Sequence, residues 1–220
     1  MNIIEKIKLK EQAFSVKEKQ FIDFLKENDV YKQSFRFLFV YTKTNKDLLY
    51  SMFEGLLKDI LIIEFETFIM VIYHNKERIR LNNYLDTLCE DFGVKMRIFE
   101  GFLVNKENNN LFRNFIDIYY RCNFNNVNYS SINNLVLEGI FSKEEKKILK
   151  DLILLKYIND TQFMKFIYSL FENNLNVSKT AKAIFMHRNT VNNKLSSFEN
   201  DTTLTLQSFK DAIVVYELLK

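Results

Sequence analysis

Apolar residues recur along this chain with two different periods, and the changes of period divide it. Behind a Ser15–Glu18 pair at capping-box spacing, Phe21, Ile22, Phe24 and Leu25 fall on one stripe, which predicts that the chain from Met1 to about Asn28 is helical. Residues 35–41, Phe-Arg-Phe-Leu-Phe-Val-Tyr, form a short apolar run of β-favouring types and predict a buried strand. Helical spacing returns over residues 47–58 at Leu48, Leu49, Met52 and Leu56. Residues 60–64 and 67–74 then predict two strands of a hairpin that turns at Phe65 and Glu66. A helix is predicted over 77–92 through Ile79, Leu81, Leu85 and Leu88, with Gly93 as its stop. Residues 94–104 predict another strand, and residues 110–122 another helix. This order predicts one sheet with helices packed on a face.

Residues 123–131 are rich in Asn and Ser and make the best linker candidate. Beyond them every stripe is helical. Ser142 and Glu145 repeat the capping-box spacing ahead of Ile148, Leu149, Leu152 and Leu155. Asp160 or Thr161 can cap a helix carrying Phe163, Phe166, Ile167, Leu170 and Phe171, which Asn173-Asn174 can end. A last helix is predicted from Ser208, with Phe209, Ile213, Tyr216 and Leu219 on its stripe. The expected fold class is α+β, a mixed or antiparallel sheet with helices followed by an all-α end. The expected division is an N-terminal helical segment (1–33), an α/β domain (34–127), a helical connector (128–160) and a final helical domain (161–220).

The most specific pattern lies in residues 173–198. Asn176 is a good helix N-cap, and Val177, Ala181 and Ile184 follow at i, i+4 and i+7. Phe185-Met186 supplies a turn, and His187 stands where the next helix would be capped. Val191, Leu195 and Phe198 repeat the stripe. Steps of ~100° per residue put Asn189, Asn193 and Ser196 opposite it, flanked by Thr190, Asn192 and Ser197. This is the layout of a helix-turn-helix whose second helix enters a DNA major groove. Asn suits adenine, because its amide both donates and accepts on that base's major-groove edge.

Composition narrows the alternatives. Net charge is +3, from 31 basic and 28 acidic residues, so nucleic-acid contact would rest on a local patch. Such a patch exists: from Val177 to Phe198 the charged residues are Lys179, Lys182, Arg188 and Lys194, with no acid until Glu199. Lys179, Lys182, His187, Arg188, Thr190 and Lys194 are therefore candidate phosphate contacts, and Asn189, Asn192 and Asn193 candidate base contacts. Hydrophobic residues make up 47%, enough for a sizeable core. Pro and Trp are absent and Gly numbers four, which fits a coding bias towards A and T and leaves turns to Asn, Asp and Ser. Cys89 and Cys122 lack metal or disulfide spacing, and a reduced cytosolic setting is expected. The first residues alternate charged and apolar types, unlike a signal peptide, and no membrane span is expected. His74, the Glu64/Glu66 pair and Cys89 read as surface or core residues. No catalytic residue, metal site, cofactor or enzymatic activity is expected.

Residues 174–181 and 187–191, with Leu195 closing the pattern, resemble the C-terminal helix-turn-helix of PucR/CdaR-type bacterial transcription regulators, itself similar to the DNA-binding end of the Fis protein. The resemblance is specific over the final third, from Leu155-Lys-Tyr157 through the helix at residues 209–219. Upstream it is architectural: these regulators often carry a degenerate GGDEF-like domain there, and no intact GGDEF signature is present. It implies a sequence-specific regulator that binds double-stranded DNA, with a GGDEF-like domain over 34–127. Because one helix-turn-helix makes few contacts, a homodimer on two half-sites ~34 Å apart is expected, with 34–127 as the dimerisation or regulatory element. Whether a small-molecule or protein effector is sensed stays open, and a cytoplasmic, nucleoid-associated location is expected. The family usually has a long side chain at Asn192 and Arg at Lys194, so this chain offers fewer bidentate donors for guanine. Only residues 1–33 precede the sheet, so no separate N-terminal sensor domain is expected. Two other readings stay open: a protein-interaction or structural protein whose helical end does not bind DNA, and a weakly selective, Fis-like architectural binder.

Overall fold

The computed structural model describes residues 14–27, 31–122 and 127–220. Residues 1–13 of the expected N-terminal helix and 123–126 of the expected linker lie outside the described residues. Helix α1 (Val16–Glu27) starts at the anticipated capping box, with the Ser15 N–H donating to Glu18 Oε2 at 2.8 Å and the Glu18 N–H to Ser15 Oγ at 3.3 Å.

Five strands follow: β1 (Arg36–Thr42), β2 (Leu61–Glu64), β3 (Ile69–Tyr73), β4 (Met96–Glu100) and β5 (Tyr129–Ser131). They form one sheet in the order β2-β3-β1-β4-β5. The first four pair antiparallel, with Leu38 opposite Val71 on one side and Glu100 on the other, while β5 joins β4 in parallel. Tyr129–Ser131 was expected within the linker and instead closes the sheet. Asn and Ser favour turns in isolation, but the open edge of β4 offers the backbone a ladder that outweighs this.

Helices cover both faces of the sheet rather than one. Leu38, Val40, Val71 and Ile98 point to α2 (Lys46–Phe53) and α3 (Leu85–Asp91). Phe37, Phe39, Ile72 and Phe99 point to α1 and α4 (Phe112–Arg121). Burial on both sides explains the unbroken apolar run of residues 37–40 within β1. The second face is largely aromatic: the Phe37 ring lies 4.8 Å from Phe112, and Phe39 lies 4.5 Å from Tyr119. Gly101 is required here, since a Cβ would stand 2.1 Å from the Phe37 ring.

The helix expected over 77–92 is shorter. Residues 77–80 are non-helical, a 3-10 turn spans Leu81–Asn83, and only then does α3 begin. Two arginines in the non-helical stretch, Arg78 and Arg80, reach partners across the molecule, and those bonds replace the helical ones.

The remaining helices are α5 (Ile132–Glu138), α6 (Lys143–Ile158), α7 (Thr161–Glu172), α8 (Val177–Ala183), α9 (Arg188–Thr202) and α10 (Phe209–Leu219). Ser142 and Glu145 form the predicted capping box of α6, and Asp160 caps α7 by accepting from the Gln162 and Phe163 N–H groups. In α10 the buried face is Asp211, Ala212, Val214, Val215 and Leu218, not the predicted stripe. Phe209 and Tyr216 are exposed and Ile213 half-buried, because packing turns the helix's other side inward. One apolar cluster runs from α1, α4 and the sheet into α6, α7, α9 and α10.

Candidate nucleic-acid interface

Helices α8 and α9 form a helix-turn-helix built from local signals. Asn176 caps α8, its Oδ1 accepting from the Lys179 N–H at 3.0 Å. Thr180 is fully buried and satisfies its hydroxyl within the helix by donating to Asn176 O at 2.9 Å. Ala181, also buried, lets α9 approach closely. The helix ends by folding back, with the Met186 N–H donating to Ala181 O at 2.9 Å. Phe185 takes the left-handed conformation this turn needs (φ 54°) and is 98% exposed. His187 then caps α9, its Nδ1 accepting from the Asn189 N–H at 3.2 Å. That bond needs Nδ1 unprotonated, so Nε2 carries the ring N–H and points a donor away from the helix.

Val191, Leu195 and Phe198 are buried, with the Phe198 ring 4.8 Å from Tyr157 and 5.6 Å from Phe163. Arg188, Asn189, Thr190, Asn192 and Asn193 are all exposed along the first two turns of α9, beside the exposed His187 cap. Lys179 and Lys182 are exposed on α8. Lys194 differs: it is half-buried, with Nζ 5.8 Å from the centre of the Phe163 ring.

The last turns of α9 are fastened to the rest of the protein by polar groups that the sequence pattern did not flag. Arg36, 1% exposed at the start of β1, donates from Nη1 to Asn200 O at 2.7 Å. The Arg78 N–H donates to Asn200 Oδ1 at 2.7 Å. The Arg78 side chain donates to both oxygens of Glu100, at 2.8 and 2.9 Å, and also reaches Glu199 and Thr203 O. Glu100 is 1% exposed and accepts in addition from the Tyr129 hydroxyl. Buried charges are tolerated only when paired in this way. Burial alone would lower the Arg78 pKa, but the Glu100 carboxylate more than reverses that and holds the guanidinium charged. Arg80 donates from Nε and Nη2 to Glu199 Oε1 at 2.9 and 2.6 Å. On the opposite flank the Tyr157 hydroxyl donates to Asp201 Oδ2 at 2.7 Å, and Lys156 pairs with the same oxygen. Burial raises the Tyr157 pKa, and the bond to Asp201 adds to the shift. The one hint in the sequence was Arg36, a charge inside an otherwise apolar strand.

Between residues 77–84 and the end of α9 lies an open cleft of about 780 Å³, with Arg80 and Tyr84 on one side and Ser196 and Ser197 on the other. Among the described residues no group of His, Cys, Asp or Glu could hold a metal ion, and no helix is long and apolar enough to cross a membrane.

The capped helix pair, its tight turn and the exposed, acid-free start of its second helix define a helix-turn-helix protein of the DNA-binding transcription-regulator class. Residues 163–220 match the model of the PucR C-terminal helix-turn-helix domain. No curated protein matches the sequence. Among solved structures, the chain is similar to the regulator of polyketide synthase expression from Bifidobacterium adolescentis. The identity is 12% and the TM-score 0.40, over 94% of this chain and 93% of that one.

Proposed function

We propose that this protein is a sequence-specific transcription regulator in which the first two turns of α9 lie in the major groove. Asn189, Asn193 and Asn192 read base edges, while Lys179, Lys182, His187, Arg188 and Thr190 hold phosphates. Lys194, drawn over the Phe163 ring, is left out of that set. The observation that carries this reading is the exposed row of Asn189 and Asn193 opposite the buried Val191, Leu195 and Phe198. One such unit makes few contacts, so the protein acts as a homodimer on half-sites about one helical turn, ~34 Å, apart. The segment 34–127 is the GGDEF-like dimerisation or effector-receiving part, 128–160 the connector and 161–220 the DNA-binding domain. The protein works in the cytoplasm at the nucleoid.

Selection of bound duplexes from the source genome, followed by a gel shift, tests the reading. The parent should retain one motif, and the triple variant Arg188→Ala, Asn189→Ala, Asn193→Ala should stay folded and release it. Equal retention by the triple variant would overturn the proposal, and equal retention of all sequences would favour an architectural binder. A monomer by light scattering, with and without DNA, would remove the dimer. One observation favours a helical end that no longer grips DNA: Lys194 is folded against Phe163, leaving Arg188 as the only fully exposed cation on the first two turns of α9.

A further inference from the structure

The outward face of α9 is not open along its whole length. At ~100° per residue, Asn200 continues the row formed by Asn189, Asn193 and Ser196. Yet Asn200 is covered, its side chain and its carbonyl both bonded from the sheet part, by the Arg78 N–H and by Arg36. The free portion of that row, Asn189 to Ser196, is about 10 Å long at 1.5 Å per residue, close to the ~12 Å width of the major groove. A duplex that fills it has a sugar-phosphate strand leaving the groove beside Ser196 and Ser197. That is where the cleft stands, with Arg80 on its far wall.

Resting on the DNA-binding reading, we propose that this cleft is the track of one phosphodiester strand and that Arg80, from outside the helix-turn-helix, is a phosphate contact. The Arg80 side chain is 59% exposed. It engages one Glu199 oxygen through Nε and Nη2 and leaves Nη1 without a partner among the described residues. A planar guanidinium can hold a carboxylate on one edge and a phosphate on another. The hydroxyls of Ser196 and Ser197, both exposed, supply neutral donors on the near wall. The cleft also holds two acids. Glu199 is neutralised by Arg78 and Arg80, whereas Glu77 is exposed at the rim and opposes the strand. The sheet part therefore contributes to affinity directly, and not only by carrying the helices.

The test is fluorescence anisotropy with the full chain and a labelled duplex recovered by selection with the parent, over a series of salt concentrations. Arg80→Ala should bind about tenfold more weakly and lower the slope of log K against log salt by about 1, the loss of one neutralised phosphate. Glu199→Gln separates this from a structural role. If Arg80 served only to hold Glu199, this variant would weaken binding as Arg80→Ala does, and the proposal would fail. If Arg80 meets phosphate, Glu199→Gln releases it and binding is equal or tighter. Ser197→Asp, on an exposed position, should weaken binding at least as much as Arg80→Ala by setting a carboxylate beside the strand. Unchanged affinity and slope for Arg80→Ala would overturn the proposal while the α9 reading stood, provided the triple α9 variant released the same duplex. Tighter binding by Arg80→Ala would also overturn it and make residues 77–84 a barrier to DNA. Retention of the duplex by the triple α9 variant would defeat both readings together.

Discussion

The backbone N–H of Arg78 donates to the side-chain oxygen of Asn200 at 2.7 Å, joining a non-helical stretch beside the sheet to the last turn of α9. The two residues are 122 positions apart in the chain. The same Arg78 carries the bidentate bond to Glu100. One residue thus ties the sheet to α9 through both its backbone and its side chain. The helix-turn-helix is therefore held against the sheet by charged groups as well as by the shared apolar core.

Breaking that pair should be costly. Arg78→Ala leaves Glu100, 1% exposed, as a buried charge without its main partner. Removal of one member of a buried pair typically costs about 3–5 kcal/mol, a large share of the ~5–15 kcal/mol that holds a domain folded. Urea unfolding should register a loss of that order. Replacing both residues, Arg78→Met with Glu100→Leu, should lose much less, since no charge is left stranded. If the double variant were as unstable as Arg78→Ala, the cost would lie elsewhere than in the unpaired carboxylate.

Alkaline pH should destabilise the protein. Tyr73, Tyr129 and Tyr157 all have pKa values raised by burial, and for Tyr129 and Tyr157 a carboxylate partner adds to it. An unfolded tyrosine ionises near pH ~10. A raised folded value means stability that is complete below ~10 and lost as pH climbs through the folded values. Thermal melts from pH 8 to 11 should fall over the upper part of the range. Tyr157→Phe should start lower, having lost its bonds to Asp201 and to Ser197 O, and should fall less steeply. A parallel decline in parent and variant would mean that Tyr157 does not contribute to the pH dependence.

The cations of the helix-turn-helix should not be equivalent. Arg188, Lys179 and Lys182 are exposed, so alanine at each should reduce the salt slope of DNA binding by about 1. Lys194 is drawn over Phe163, an interaction worth about 0.5–1 kcal/mol at an exposed site. Lys194→Ala should therefore shift the melting temperature slightly and leave the slope nearly unchanged. A slope change equal to that of Arg188→Ala would show that Lys194 swings out to meet phosphate.

Gly101→Ala should destabilise the sheet. The added methyl would overlap the Phe37 ring, which is wedged between Phe112 at 4.8 Å and Phe102 at 5.5 Å and has little room to yield. Overpacking of this kind costs about 1–3 kcal/mol. A wild-type urea midpoint for the variant would mean that the aromatic layer repacks freely.

Much of the helical third could be read from neighbours in the chain. The caps at Ser142, Asp160 and Asn176, the turn at Phe185-Met186, the His187 cap and the buried row of Val191, Leu195 and Phe198 depend on residues two to seven positions apart. The hairpin of β2 and β3 is nearly as local, its pairs running from Glu64–Ile69 to Leu61–Ile72. The candidate DNA face was legible for this reason: it is the side of a helix that local spacing leaves outside.

The segments that depart from their local pattern share another cause. Residues 77–80 carry a helical spacing, yet they run non-helically because Arg78 and Arg80 meet Glu100 and Glu199, 22 and 119 positions away. Tyr129–Ser131 has the composition of a loop and becomes a strand because β4 presents it with an unpaired edge. The buried side of α10 is not the one its spacing predicts, since Val214, Val215 and Leu218 are as apolar as Phe209, Ile213 and Tyr216. Periodicity and capping are set by bonds within one element, so the linear order of residues carries them in full. Which apolar side turns inward, which charge finds a buried partner and where a recognition helix stops being free depend on surfaces that exist only after distant segments have packed together.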